Sequence, residues 1–335
     1  MSEKIVIIKL GALGDVVRTL SILPALKEKY PNSEICWITK PSSKPILKTN
    51  PHINKILTIP VEVQDSFDIL YNLDIDDDAT QLANKISANK KYGFFSEEGF
   101  VSAFNLPAEY YLNTLFDDEL KKSNQKTYQQ MMFEAIELDY NNQHSSIHLI
   151  GEDKEYAHNF IKKNNISSNR LIGIHIGASS RWPSKKWHAD NLKEFITKAN
   201  FEGYNILLFA GPDEKKEQEN LVLRLKEKGI KIYKNNPDNT INQFSSLVNL
   251  CDVVISGDTL AMHVALALKK PTIGLFFCTS PHEVEEYGLL HKIISPQLYN
   301  FFPEKMDQYN EELVKSISAE EVINSLKEIK KSEQK

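Results

Sequence analysis

The sequence predicts an α/β protein built as two domains in series, and three observations carry that expectation. Strand-length apolar runs alternate with helical patterns along most of the chain, the signature of a sheet with helices packed on it. Each half opens on a buried strand followed by a loop. At 335 residues, the chain is long enough for two cores of ordinary size. The predicted limits are 1–150 for the first domain and 151–317 for the second, with a helix and tail over 318–335.

Lys4 to Leu10 (KIVIIKL) has the Ile and Val content of a strand covered on both faces. Gly11-Ala12-Leu13-Gly14-Asp15 then turns the chain into a helical pattern carrying Val16, Leu20, Leu23 and Leu26, which runs to Tyr30-Pro31. Glu34 to Thr39, Ile53 to Ile59 and Phe67 to Leu73 read as further strands, with a short helix or turn over Pro45 to Asn50 and a helix over Ala79 to Asn89. From Tyr92 to about Gln143 the pattern is irregular and reads as an aromatic-rich loop region, with one helix over Thr127 to Leu138. An amphipathic helix over Glu152 to Asn164 precedes a polar stretch, 164–170, after which the second strand series begins.

That series reads as strands Leu171 to Ile176, Asn205 to Ala210 and Ile230 to Tyr233, separated by helices Ala189 to Asn200 and Lys215 to Lys228, with a helix over Ile241 to Asn249. Val253 to Phe276 (VVISGDTLAMHVALALKKPTIGLF) follows as strand, turn at Gly257, helix opening at Asp258 and Thr259, and strand. In a parallel sheet the mouth of such a unit lies at the carboxyl ends of the strands, where free N–H groups and the helix dipole favour an anionic, phosphate-bearing ligand. The residues alone leave a second reading open, in which Asp258 only caps the helix and His263 is a core histidine. Ser318 and Glu321 form a capping-box pattern ahead of Val322, Ile323, Leu326 and Ile329, and the residues from Lys330 on read as a frayed end.

Composition narrows the function classes. A net charge of −5, with 41% hydrophobic and 25% charged residues, is that of a globular protein without the basic face of a nucleic-acid binder. Cys36, Cys251 and Cys278 are widely spaced and suggest neither a disulfide framework nor a zinc site. With no signal-peptide core and no apolar run long enough to span a bilayer, a cytoplasmic enzyme is expected. Gly11-x-x-Gly14 after the first strand invites a dinucleotide site, but the fingerprint needs three glycines and an acid at the end of the second strand, which here closes on Ile38-Thr39-Lys40.

Three blocks in fixed order, KLGALGDVVRTLSILPALKEKYPNSEICWIT (9–39), IGIHIGASSRWPSKKW (172–187) and GDTLAMHVALALKKPTIGLF (257–276), resemble glycosyltransferase family 9, the ADP-heptose heptosyltransferases and their relatives. The resemblance weakens from Tyr92 to Gln143. It implies a GT-B architecture: two Rossmann-like α/β domains facing each other across a cleft, with the acceptor on the N-terminal side and the nucleotide sugar on the C-terminal side. It further implies inversion at the anomeric carbon, no cofactor and no required metal. The tail helix is expected to cross back to the first domain.

Carried over residue by residue, the resemblance makes Asp15 the general base. Lys185, or its neighbour Lys186, would meet the donor phosphates, with Ser179 and Ser180 adding donors. Asp258, Thr259, Met262 and His263 complete the donor motif. By its position alone, one turn after Asp15, Arg18 is expected either to meet an anionic acceptor or to pair with a surface carboxylate. Gly211, Asp213 and Glu214 would border the nucleoside. The expected partners are a nucleotide sugar, most readily ADP-heptose, and a glycan or glycoconjugate such as lipopolysaccharide core, whose lipid would bring the enzyme to the membrane periphery. The chain departs from the family pattern at His188, after Trp187, and in the loop Phe277-Cys278-Thr279-Ser280-Pro281, which bears on the identity of the sugar or base. The competing expectations are an epimerase or hydrolase of the same architecture and a nucleotide-sugar-binding protein without turnover.

Overall fold

A computed structural model describes residues 2–166 and 170–332, so residues 167–169 of the polar stretch and the last three residues of the tail lie outside it. The described chain forms two compact units: residues up to His148 together with His282–Glu285, and Leu149–Pro281 together with Glu286 onward.

The first unit is a six-stranded sheet in the order β3-β2-β1-β4-β5-β6, made of β1 (Lys4–Ile8), β2 (Glu34–Thr39), β3 (Lys55–Thr58), β4 (Phe67–Asn72), β5 (Ala88–Glu97) and β6 (Phe100–Ala103). Neighbouring strands are parallel except β6, which folds back on β5 through Glu98 and Gly99, both at positive φ as a tight hairpin requires. Ile5, Val6, Ile7 and Ile8 have no exposed surface, which accounts for the unbroken apolar run of β1. The strand order reverses between β1 and β4, where Ile8 lies opposite Asn72. Loops leaving two such strands at their carboxyl ends diverge to opposite faces and open a binding crevice. Lys9–Ala12 and Leu73–Asp76 are those loops.

Two expectations for this unit change. The single helical pattern foreseen after Asp15, up to Tyr30, is two helices, Leu13–Thr19 and Ile22–Lys29, because Pro24 has no N–H to give and its ring would meet the carbonyl of Leu20. The segment from Tyr92 is not a loop region. Its first residues complete β5, which takes Ala88 and Asn89 from the helix expected over Ala79 to Asn89, whose observed span is Asp77–Lys85, and helices Leu106–Phe116 and Asp118–Ser123 follow. Its aromatics form a packed series: Phe94 against Tyr111 at 5.7 Å, and Tyr111 against Tyr128 at 6.0 Å, on the helix Tyr128–Ala135.

The second unit is an all-parallel sheet in the order β12-β11-β10-β7-β8-β9, from β7 (Leu171–His175), β8 (Asn205–Phe209), β9 (Ile232–Lys234), β10 (Val253–Gly257), β11 (Thr272–Phe276) and β12 (Leu290–Ile294). Its order reverses between β7 and β10, where Ile255 pairs with Ile174. The loop after β7 and the turn after β10 therefore meet at one crevice. The capping box at Ser318 forms, with Glu321 N–H donating to Ser318 Oγ at 3.2 Å and Ser318 N–H donating to Glu321 Oε2 at 2.7 Å. The last helix packs within the second unit. On Ala319–Ser332, Val322, Ile323, Leu326 and Ile329 are buried in the second unit's core with Ile174, Phe195 and Ile196, so its apolar face is already covered.

Candidate active site

Each unit places a group of polar side chains at its own switch point. In the first, Asp15 sits in the first turn of the helix Leu13–Thr19, where a negative charge complements the helix dipole. Its Oδ1 accepts from Arg18 Nη2 at 2.7 Å and from Nε at 3.1 Å. The Arg18 guanidinium lies flat on Tyr128, 3.7 Å from the ring centroid, and Tyr128 OH and Thr19 Oγ1 are 3.0 Å apart. Arg18 thus holds the Asp15 carboxylate from one side, and the aromatic series holds Arg18.

Behind this pair lies a second one that the sequence reading did not single out. Lys9 and Asp74, each 4% exposed, stand 3.5 Å apart. Lys9 Nζ donates to Leu73 O at 2.6 Å, while Asp74 Oδ2 accepts from Leu10 N–H at 2.8 Å and Gly11 N–H at 2.5 Å. Burial alone would pull the Lys9 ammonium down, but Tyr128, Asp74 and Asp15 outweigh it and hold its pKa above the ordinary lysine value. Burial drives the Tyr111 hydroxyl upward, so Tyr111 serves as neutral packing beside this cluster.

In the second unit, β10 ends at Gly257, over which the backbone of Lys185 crosses so closely that a Cβ there would stand 2.2 Å from the Lys185 carbonyl oxygen. This crossing brings Lys185 Nζ to 3.0 Å from Asp258 Oδ2, with both side chains less than one-fifth exposed. His263 Nε2 lies 3.5 Å from Asp258 Oδ1 on the other side. Asp258 does not cap the helix Leu260–Ala267; Thr259 is the N-cap, and its hydroxyl is turned to His175 Nδ1 at 3.2 Å and Ser256 Oγ at 3.0 Å. The helix therefore starts without a side-chain cap, beside a lysine. Burial lowers the pKa of His175 to about 4, against an upward pull from Glu214 and with a downward push from Lys186, so it meets Thr259 as a neutral imidazole.

The family model for glycosyltransferase family 9 (heptosyltransferase) matches residues 64–313, about three quarters of the chain. The chain belongs to glycosyltransferase family 9. Lipooligosaccharide heptosyltransferase 2 of Haemophilus ducreyi is 25% identical to it over 300 residues, covering 83% of this chain and 84% of that one. The fold is shared with the family 9 glycosyltransferase of Veillonella parvula (TM-score 0.78, 19% identity, 97% of this chain and 96% of that one). It is shared too with the ADP-heptose lps heptosyltransferase II of E. coli (TM-score 0.71, 19% identity, 99% and 100%). The two Rossmann-like sheets thus have the GT-B fold, and the chain is a glycosyltransferase. Among the described residues no helix is long and apolar enough to cross a membrane.

Within this glycosyltransferase the foreseen residues are not all placed alike. Lys185, Asp258, Thr259 and His263 come together at the second switch point. Lys186 turns instead to Glu214 and Glu217, 3.2 Å from each, which makes Glu214 a structural partner. Ser179 and Ser180 are exposed on the loop after β7, and Ser179 Oγ accepts from Arg181 N–H at 3.2 Å. Met262 has no exposed surface, and its sulfur lies in the core, where a Cβ on Gly274 would meet it at 3.1 Å, so it supports the helix from beneath. Arg18, expected to meet an anionic acceptor or to pair with a carboxylate, is engaged with the Asp15 carboxylate and with Tyr128. Cys278 is fully buried and its thiol pushed up to about 12, chiefly by desolvation, which leaves it a packing residue. Lys9 and Asp74 carried one signal in the sequence, charges at the ends of apolar runs, since buried charges are seldom left unpaired.

Proposed function

We propose that this glycosyltransferase transfers a heptose from ADP-heptose to a hydroxyl of a lipopolysaccharide-core type glycan, with inversion, and without a metal or other cofactor. The observation that carries the reading is the uncapped helix N-terminus at Thr259, beside which stands the Lys185–Asp258 pair: free N–H groups and a lysine in reach of a diphosphate. The names of the relatives supply the sugar and the acceptor class.

In this reading Asp15 removes the acceptor hydroxyl proton as that oxygen bonds to the anomeric carbon. The bond from that carbon to the diphosphate breaks, and its electron pair leaves with ADP. Lys185 and the N–H groups of the helix Leu260–Ala267 offset the charge growing on the diphosphate. Asp258 holds Lys185 and orients a sugar or ribose hydroxyl, while Thr259 and His263 border the phosphates; Ser179 and Ser180 reach them from the loop after β7.

The acceptor side extends into a cavity of about 920 Å³ at the carboxyl ends of β2 and β3, lined by Lys40, Ser42, Ile59, Val61, Leu82 and Lys85. The helix carrying Asp15 lies against the turn Pro41–Ser43, which borders that cavity. A lipid-linked acceptor would bring this cytoplasmic enzyme to the membrane periphery.

The test is a thermal-shift panel of ADP, UDP, GDP, CMP and NAD, followed by turnover of ADP-heptose. A ligand at about 100 times its Kd adds roughly 2.7 kcal/mol to the native state. Selective stabilisation by ADP, and ADP release that depends on added acceptor, are expected. Release without acceptor would point to a hydrolase, and stabilisation by UDP or GDP alone would replace the donor. Asp15→Asn should keep the ADP response and lose transfer by roughly a hundredfold or more; full transfer would remove Asp15 from the chemistry.

A further inference from the structure

We propose that Asp74, locked by Lys9, is a positioning residue that sets the place of Asp15 through the backbone of the loop between β1 and the helix Leu13–Thr19. The proposal rests on the reading of Asp15 as the base and adds the device that aims it.

The first argument is cost. A carboxylate and an ammonium that are both 4% exposed lose several kcal/mol of hydration each, and an ion pair offsets this only when further hydrogen bonds complete it. Here the completing bonds all end on the loops around Asp15. Asp74 Oδ2 takes the N–H groups of Leu10 and Gly11, the first two of the chain leaving β1 with no strand partner, and Oδ1 takes Ile75 N–H at 2.9 Å. Lys9 Nζ ties down Leu73 O, the residue before Asp74. The pair therefore fastens together the two loops of the switch point, and the base stands on the helix that one of them leads into.

The second argument is distance. Only Ala12 separates Gly11 from the helix, whose first bond runs from Val16 N–H to Ala12 O at 3.1 Å. A displacement of Gly11 is thus passed on to Asp15. A Cβ on Gly11 would lie 3.2 Å from Asp74 Oδ2 and 3.4 Å from Asp15 Oδ2, so the two carboxylates flank this glycine within about 7 Å of each other, close enough to feel one another's charge. Arg18 Nη2 sits on Asp15 at 2.7 Å and Lys9 Nζ beside Asp74 at 3.5 Å. Two acids and two cations balance, with Tyr111 on its helix and Tyr128 on another as further titratable groups beside them.

The test compares Asp74→Asn, Lys9→Met, the double variant and Asp15→Asn in the full-length enzyme. Asp74→Asn should lower kcat ~10–100-fold, the scale of an ångström-sized misplacement, with donor KM and the ADP thermal shift within about twofold of the parent. The acidic limb of the kcat/KM profile should also move in opposite directions. Removing the neighbouring anion in Asp74→Asn shifts it to lower pH, and removing the cation in Lys9→Met shifts it to higher pH, which a purely structural role would not produce.

If a single variant fails to fold, the double variant carries the test, because a neutral pair replaces the charged one; it should fold, respond to ADP and remain slow. Full kcat in Asp74→Asn or in the double variant, or acidic limbs that stay in place, would overturn the proposal. Asp15→Asn separates the two failures: if it loses transfer while Asp74→Asn does not, only the positioning role falls, and if it retains transfer the base itself was misassigned.

Discussion

Replacing Gly257 with alanine probes the donor half of the site through a single methyl group. An ideal Cβ there lies 2.2 Å from the Lys185 carbonyl oxygen and 3.3 Å from its carbon, whereas even tight contacts of this kind keep about 3.0 Å. The obstacle is backbone and cannot swing aside as a side chain would. The turn Pro183–Lys185 is also anchored, since Ser184 Oγ donates to Gln308 O at 2.8 Å and accepts from Asn310 N–H at 3.0 Å. Either the turn or the strand end must retreat by about 1 Å, at the usual 1–3 kcal/mol of an overpacked core.

The same shift stretches the 3.0 Å bond from Lys185 Nζ to Asp258 to a length at which it no longer counts as a hydrogen bond. A charged contact to the diphosphate is worth ~1.5–3 kcal/mol, so ADP should bind roughly 10–150 times more weakly. Titration calorimetry with ADP on the parent, Gly257→Ala and the control Gly151→Ala measures it. Gly151 opens the helix Gly151–Asn164 and has nothing near its would-be Cβ, so the control should bind as the parent does. A folded Gly257→Ala protein with ADP affinity within twofold of the parent would refute the account of this crossing.

Lys185→Ala should weaken ADP binding about tenfold or more while Lys186→Ala, a residue held by Glu214 and Glu217, changes it by less than about threefold; calorimetry giving the reverse ranking would show that the phosphate contact was assigned to the wrong lysine. His175, lowered to about 4 by burial, should make stability fall with acidification: the unfolded chain takes up its proton near 6.5, so this contribution is complete above that pH and is lost as pH drops toward 4. A Tm series from pH 7 to 4.5 should lose part of its slope in His175→Asn, and an unchanged slope would show that the imidazole is already charged in the native state. The thiols of Cys36 and Cys278, pushed up to about 11 and 12 chiefly by desolvation, should resist iodoacetamide at pH 8 until denaturant is added; rapid native labelling would show that they are accessible and ionised.

Much of this architecture could be read from residues alone because local signals and fold agreed. Apolar runs became strands within a residue or two, and both switch-point crevices lie at strand-glycine-helix passages visible in the sequence, Leu10-Gly11 and Ser256-Gly257. The errors fell where tertiary packing overrode local pattern. Tyr92 to Ala103 lacks the β-branched alternation of a strand, yet Phe94 is fully buried once β5 pairs with β4 at Tyr71 and Tyr92. The strand β12 was missed for a related reason, since LHKII shows no clean alternation and leaves Ile294 44% exposed.

Met262 and the Lys9–Asp74 pair mark the limits of reading function from spacing. Thr259, Met262 and His263 lie within one helical turn, and their spacing does not say which of them turns to the crevice. The burial around them does: Ala261, Met262, Val264, Ala265, Leu266 and Ala267 are all covered, so of Met262 and His263 it is His263 that is left to face it. Lys9 and Asp74 pose the opposite problem. They are 65 residues apart, and each alone looks like a strand leaving the core for water. Only the register of β1 beside β4, Ile8 opposite Asn72, brings the next residues of both chains to the same place. A charge that ends an apolar strand at a carboxyl edge is therefore informative in pairs, and the sheet order identifies the partner. That is how a lysine and an aspartate of unremarked sequence context came to stand behind the residue proposed to do the chemistry.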